Sequence, residues 1–562
     1  MRQFPRPWYD RHGNAAEGDF VMIDRKQIAR AALVVMVALL ISKIMGYARE
    51  AALASGFGAG ASTDAYLVAV IVPALLFGMV GSAITTVAIP IFSEYLHQPE
   101  KRPELPDLIW TTFHAVTGIL LLFALAGFPA APFIVRLLAP GFGPAEARLT
   151  AHLVRIMLPM VVLMGLAGWA QGVLNAHRHF TAPALIGIPY NLIMIGGIIF
   201  SAVHRSIDGV AWSMVLATLS QFLTQLPALY RLRTGYRPVC KLRHPALKRM
   251  LLLSGPVLVG TGANQLNLVV DRILASGLVV GSISALNYAQ RVVTIPQGLL
   301  ATPLITVLYP SLTEHTAVDD PAGFRSTLKH GMNMLAFLLI PLTAGIIVLR
   351  HDIIRFLFER GAFDARAAEM TAVALCFFIP GLLFLCWRDY LNRAFYALQD
   401  TVTPMWTGAA GVVVNIGLNL LLVRHLALAG LALSTSAAAA VCTILLLVFL
   451  RRRLGHIGGR ALLAECARIT LASLVMGAAL WWLNTYALNT PVWTAVSGLV
   501  RGAAGAGGLA RFLDSGLRLG VLTAAGLLIF APACRLLRVV ELDYLLDMLK
   551  GAVRRLRLKT AA

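Results

Sequence analysis

Charged side chains stand inside stretches that are otherwise apolar. Lys43 and the adjacent Arg49 and Glu50 interrupt a long apolar run that begins near residue 28, and Asp64 opens the next run. Asp271 and Arg272 sit together in a later run, Arg291 falls between Tyr288 and Pro296, and Arg388, Asp389 and Arg393 share another. Lys43 and Arg49 are six residues apart, which on a helix places them within about 120° of one face. With Arg291 they make a cationic set suited to a diphosphate. A guanidinium grips phosphate oxygens in a two-pronged way, and a low dielectric strengthens the contact. The competing reading is that each cation sits near a helix end and extends its head group to water.

A second constellation is built from oxygen donors. Asn415 and Asn419 are spaced i,i+4 and share a helix face. Together with Asp271 and Thr435 they offer one carboxylate, two amide carbonyls and a hydroxyl, a set suited to a small hard cation. Hydrogen bonding between helices is the other role open to the same residues. Bond-breaking chemistry has no comparable footing. There is no Gly-Lys dipeptide, hence no NTPase phosphate loop, and no HExxH. The six cysteines contain no CxxC pair. Neither catalytic residues nor a resident cofactor is expected, no metal site is assigned, and Na+ or H+ is the candidate coupling ion.

These residues must be positioned by helices in lipid. Of 562 residues, 58% are hydrophobic and 13% charged, with a mean hydropathy of +0.75. A soluble protein carries roughly a quarter charged residues. The apolar runs are too long for barrel strands, so an all-α polytopic membrane protein is expected, with about fourteen transmembrane helices. The first covers 28–55 and the last 514–537, while 131–143 reads as a short re-entrant or interfacial turn. The net charge of +21 reflects basic loops against anionic lipid, not nucleic-acid binding. Basic residues collect before the first helix, between the sixth and seventh, after the twelfth and at the C-terminal end. An even number of spans puts all four on one side, so both termini are expected in the cytoplasm. Arg350, Arg355, Arg360 and Arg366 would lie outside, interleaved with Asp352, Glu359, Asp364 and Glu369.

The chain also repeats itself. Leu53-Ala54-Ser55-Gly56 recurs as Leu274-Ala275-Ser276-Gly277, and Pro183 matches Pro404, both at an offset of 221. Gly209-Val210-Ala211-Trp212-Ser213 resembles Gly430-Leu431-Ala432-Leu433-Ser434 at the same offset, and Pro90 matches Pro310 at 220. The offset spans six helices. An even-numbered unit repeats in the same orientation, which predicts two parallel lobes around a midplane cavity, an arrangement typical of alternating-access transporters. The expected organisation is a tail at 1–27, an N-lobe at 28–232, a C-lobe at 249–450, an unpaired helical pair at 462–540 and a basic tail at 541–562.

Several motifs resemble those of one family. Ser42-Lys43-Ile44-Met45-Gly46-Tyr47-Ala48-Arg49-Glu50, Phe57-Gly58-Ala59-Gly60, and Thr63-Asp64-Ala65-Tyr66 come first. Tyr288-Ala289-Gln290-Arg291 and Ala394-Phe395-Tyr396-Ala397-Leu398-Gln399-Asp400-Thr401 follow in order. This series is similar to the MurJ (MviN) lipid II flippase family of the multidrug/oligosaccharidyl-lipid/polysaccharide exporter superfamily. The resemblance implies peptidoglycan biosynthesis: a monomeric flippase of the bacterial cytoplasmic (inner) membrane that carries lipid II, the undecaprenyl-pyrophosphate-linked precursor, to the outer leaflet. It implies a cationic cavity in which Lys43, Arg49, Glu50, Asp64, Arg272 and Arg291 are the candidate substrate-binding residues. It also implies a groove on the last two helices for the lipid tail. Lys43 stands where many members have arginine. Phe77-Gly78-Met79-Val80-Gly81 stands where many have an arginine pair and an acidic residue. Another polyprenyl-linked oligosaccharide, or a drug/cation exchange of the same superfamily, is the alternative cargo.

Overall fold

A computed structural model describes residues 25–78, 82–232, 235–456, 458–486 and 508–543. The expected tail at 1–27 lies almost wholly outside these residues, as does the basic tail beyond residue 543. The described chain runs back and forth between two ends of a helical bundle. Arg231, Lys241, Arg249 and Arg451 to Arg453 mark the end called basic here.

Helix α1 (Arg25–Phe57) leaves the basic end, and α2 (Ala61–Leu76) with α3 (Ser82–His97) returns as one broken pass. α4 (Leu105–Leu138) goes out; α5 (Pro144–Met157) and α6 (Pro159–Ala176) come back. α7 (Thr181–Leu185) and α8 (Gly187–Val203) go out, and α9 (Ile207–Leu223) and α10 (Leu226–Arg231) return. The pattern then recurs. α11 (Pro245–Ser276) goes out, α12 (Ser282–Pro296) and α13 (Thr302–Ala317) return, and α14 (Pro321–Phe358) goes out. α15 (Ala365–Phe378) and α16 (Gly381–Ala397) return with a bend of 47° between them. α17 (Val402–Leu454) goes out and back, reversing at Ala427, whose φ is 47°. α18 (Gly459–Thr485) and α19 (Gly508–Leu536) complete the path.

Among the described residues, eight helical stretches, some of them two consecutive helices such as α5 with α6, are long and apolar enough to cross a membrane, and nine if the bent α15–α16 pair is one span. Counting broken passes once and α17 twice, the described helices trace fourteen passes. One expectation fails. Residues 131–138 are not a separate turn but the last two turns of α4. Pro129 and Pro132 lie within that helix without ending it, because intrahelical bonding continues around them until Ala139.

The repeat is visible in the packing. α2 lies on α5 as α12 lies on α15, and α1 lies on α8 as α11 lies on α17. Pro73 in α2 and Pro296 in α12 each precede a π-helical turn, at Phe77–Gly78 and at Gln297–Ala301. A proline removes the i→i−4 bond, and the wider turn absorbs the loss. Each turn faces the other repeat. Gly78 abuts Gln265 of α11, and Gly298 abuts Lys43 of α1. α18 and α19 have no counterpart and pack on each other and on α14. At the far end Arg518 of α19 lies 3.7 Å from Asp352 of α14 and donates to Asn484 of α18 at 2.8 Å. Two of the arginines expected on that side are also engaged, Arg355 with Glu359 at 3.2 Å and Arg360 over the Phe512 ring at 4.3 Å.

Candidate functional site

The site is built where α1 meets α12. Arg49 and Glu50 are consecutive on α1, and Glu50 is only 6% exposed. Its Oε1 accepts from Arg49 Nη2 at 2.9 Å and lies 3.3 Å from Nε of Arg291, which comes from the other repeat. Arg49 also donates to Asn191 Oδ1 at 3.3 Å and sits 5.6 Å over the Tyr190 ring. A cavity of about 180 Å³ is lined by Arg49, Glu50, Arg291, Tyr190, Tyr66 and Asn287. Two guanidiniums share one carboxylate, so the cluster keeps a surplus positive charge. Glu50 engages only Nε of Arg291, and among the described residues no other protein group pairs with that side chain, which is 45% exposed. Arg291 lines the cavity with donors to spare, while the buried Glu50 carboxylate has both guanidiniums as partners.

Of the three expected cations, the structure brings together two. Lys43 does not join them. It lies a turn and a half nearer the basic end, exposed, with its ammonium 3.3 Å from where a Cβ on Gly298 would stand. Six residues of helix separate its Cα from that of Arg49 by about 9 Å of rise.

Asp64 and Arg272 are placed elsewhere than expected. Asp64 is 4% exposed and does not face the cluster. Its Oδ2 accepts from Gly281 N at 2.7 Å, and its Oδ1 accepts from Ser284 N at 2.8 Å and Ser284 Oγ at 2.5 Å. It therefore caps α12 from the opposite repeat, where the helix N-terminus favours a negative charge. These bonds engage both its oxygens and tie α2 to the start of α12. Tyr288 Oη donates to Gly58 O at 3.3 Å and Ala362 N to Ser55 O at 2.8 Å in the same layer. Gly58 and Gly281 have φ of 65° and 95°, and a Cβ on either would meet the backbone oxygen of the opposite repeat. The far end is thus sealed by backbone against backbone. Arg272 is buried behind this layer, where Nη1 donates to Ile283 O at 3.2 Å. It braces the start of α12 and is not among the residues that line the cavity.

The oxygen constellation does assemble. Asn419 Nδ2 donates to Asp271 Oδ1 at 2.6 Å and to Asn415 Oδ1 at 2.7 Å, and Asn415 Nδ2 lies 3.5 Å from Thr435 Oγ1. Asn419 Oδ1 is buried without a partner. An orphaned buried carbonyl is rare and costly, and carbonyl and carboxylate oxygens are the donor types that could hold a hard cation. The set is the counterpart of Asn191 against α1 in the first repeat.

Sequence reasoning missed Tyr66, Tyr190 and Asn287, whose types gave no signal apart from their setting. It also missed Gln297, which donates to Asp389 Oδ2 at 3.0 Å beside Arg388. The i,i+1 placement of Tyr190 and Asn191, with Asn191 matching Asn415 at an offset of 224, was the available clue.

A profile of the family described as Lipid II flippase MurJ matches residues 53–500. The chain belongs to this family. Among its relatives, Lipid II flippase MurJ of Burkholderia cenocepacia is 31% identical over 465 residues, covering 81% of this chain and 89% of that one. A probable lipid II flippase MurJ of Rhizobium tropici is 32% identical over 461 residues, covering 80% and 85%. A solved lipid II flippase MurJ in an inward closed conformation shares the fold with a TM-score of 0.71 at 23% identity, covering 88% of this chain and 98% of that one. A multidrug resistance MATE transporter of the MOP superfamily, facing inward, does so at 0.62 and 12%, covering 76% and 98%. As a member of the MurJ family the chain is a transporter and not an enzyme. Gly78, in the stretch that departs from the arginine pair of many members, lies tight against Gln265; residues 79–81 lie outside the described ones.

Proposed function

We propose that this chain carries lipid II from the cytoplasmic to the outer leaflet of the bacterial inner membrane by alternating access. The observation that carries the reading is the Arg49–Glu50–Arg291 cluster, which joins the two repeats at a cationic cavity beneath a sealed far end. We assign the basic end to the cytoplasm, with both termini there. The head group enters from that side. Its diphosphate draws Arg291 and Arg49 off Glu50, because a doubly charged, two-pronged acceptor outcompetes one carboxylate oxygen. Freed from its shared bond, the contact between repeats changes, and the seal at Asp64 is the element that then opens. The surplus positive charge favours an anionic lipid over a cationic drug. Lys43, exposed nearer the basic end, meets the head group first.

Na+ is the coupling ion this reading favours. Turning the Asn419 amide over would point its carbonyl, with Asp271 and Asn415 oxygens, at one place, as a hard cation requires. The protein acts as a monomer, since each half of the cavity comes from one chain. α18 and α19 offer the tail a surface beside the C-lobe.

The test is complementation of a strain depleted of its lipid II flippase, with a leaflet assay for the lipid. Wild type restores growth and outer-leaflet lipid II; Arg49→Ala and Arg291→Ala each reduce both by at least about tenfold, the loss of one charge-assisted contact. Full activity of both variants would remove the diphosphate contact from the reading.

A further inference from the structure

A second polar site lies at the basic end, far from the cluster. A cavity of about 450 Å³ opens between α14, α18 and the turn that follows α19. Lys329, His330 and Asn333 reach it from α14, Glu465 and Arg468 from α18, and Glu541 from the segment after α19. Glu465 and Glu541 are 7% and 3% exposed. Asn333 Nδ2 donates to Glu541 Oε1 at 2.7 Å, Val540 N donates to Glu465 Oε1 at 3.1 Å, and Arg468 Nη1 meets Glu465 Oε2 at 3.2 Å.

Two atoms in this network are left over. Glu541 Oε2 and Asn333 Oδ1 are buried and have no donor. Glu541 and Glu465 line this one cavity from two sides, and the amide of Val540, next to Glu541 in the chain, already bonds Glu465. Two ionised carboxylates in that position are both acceptors and repel, and neither can satisfy the other. Something positive must sit between them. Lys329 and Arg468 already bring positive charge to this cavity, to which a metal cation would only add, yet neither donates to Glu541 Oε2. Among the described residues no group of three acidic, histidine or cysteine side chains offers a metal its ligands. A proton meets the need: one carboxyl becomes a donor to the other and gives Glu541 Oε2 a bond, while Glu465 keeps its contact with Arg468.

We propose that Glu465 and Glu541 bind one proton between them, and that this shared proton fastens the segment after α19 to α18 and α14. Burial and the neighbouring Glu465 carboxyl both push Glu541 above the usual glutamate range, in keeping with this geometry. The helical pair α18–α19 is then held to α14 by two bolts of different kinds. The one at the far end, Asp352–Arg518–Asn484, is an ion pair with amide support. The one at the basic end depends on pH. A carboxyl whose folded value is raised stabilises the closed state at low pH, and that stabilisation is lost as pH rises through the raised value. The basic-end bolt therefore loosens as its side of the membrane becomes more alkaline.

The experiment is hydrogen exchange of the full-length protein in lipid nanodiscs from about pH 5 to about pH 9, corrected for the intrinsic chemical rate. In the wild type, amides at 538–543 lose protection by about tenfold per pH unit across the transition, while those around Asn484 and Arg518 do not change. Glu541→Gln mimics the protonated acid and keeps the segment protected at all pH values; Glu465→Gln, the second variant, also flattens the profile. The proposal is overturned if Glu541→Gln keeps the wild-type slope, if wild-type protection is independent of pH, or if added Na+ or Mg2+ restores protection at high pH.

Discussion

Replacing Asp64 by Asn should open the far end. Asn is the same size, so packing is kept, and its carbonyl can still accept from Ser284. Its amide, however, faces the Gly281 N–H, donor against donor, in place of the 2.7 Å bond present now. The change removes one charge-assisted hydrogen bond, worth about 1.5–3 kcal/mol. It also removes a negative charge at the N-terminus of α12, worth about 0.3–1 kcal/mol. In the open state Asp64 is hydrated, so both losses fall on the closed state. A shift of about 2–4 kcal/mol changes the closed-to-open ratio by roughly 30- to 800-fold. Ser284→Ala loses only the hydroxyl bond and should shift the ratio far less. Spin labels at Val203→Cys and Val279→Cys, both exposed near the far end, report the separation of the repeats by pulsed dipolar spectroscopy. Wild type should give mainly a short distance and Asp64→Asn a substantial long one. An unchanged distance distribution in Asp64→Asn would show that these bonds do not hold the seal.

Two further outcomes follow from particular contacts. Asp271→Asn should abolish Na+-dependent stabilisation of the purified protein while leaving it folded, since the amide keeps a hydrogen bond to Asn419; equal thermal shifts with Na+ in both proteins would remove the cation site. Asp400 caps α17, accepting from Thr403 N at 2.9 Å and Thr403 Oγ1 at 2.7 Å, and it pairs with Arg453 at the other end of the same hairpin. The Thr403 amide and hydroxyl, with Arg453 behind them, hold its carboxyl below the usual aspartate range. That stabilisation is complete above the ordinary aspartate pKa and is lost as pH falls through the lowered value. Asp400→Ala should therefore cost about 1 kcal/mol at neutral pH, read as a lower melting temperature, and the gap to wild type should close in acid.

Much of the architecture was legible without coordinates of any kind. Hydropathy alone demands helices in lipid, because unpaired backbone is too costly there. The offset of 221 demands parallel repeats, because six passes return the chain to its starting side. Arg49, Glu50 and Arg291 could be singled out because an ionised group in apolar sequence is expensive and needs a reason. The oxygen set of Asp271, Asn415, Asn419 and Thr435 followed from helical spacing and reappears as a bonded chain. What spacing does not encode is which way a charged residue turns once two repeats meet. Asp64 and Arg272 looked like cavity residues because their sequence setting matches that of Arg49. Only the approach of α12 to α2 turns Asp64 into a cap, and only the burial of Arg272 against Ile283 makes it a brace. Lys43 shares a helix face with Arg49, yet the rise of α1 carries it to Gly298 instead. Glu465 and Glu541 lie 76 residues apart in separate elements, so no local pattern joins them. Local physics determined the elements and their order; the meeting of distant helices decided which charges pair, which seal the far end and which are left for a ligand.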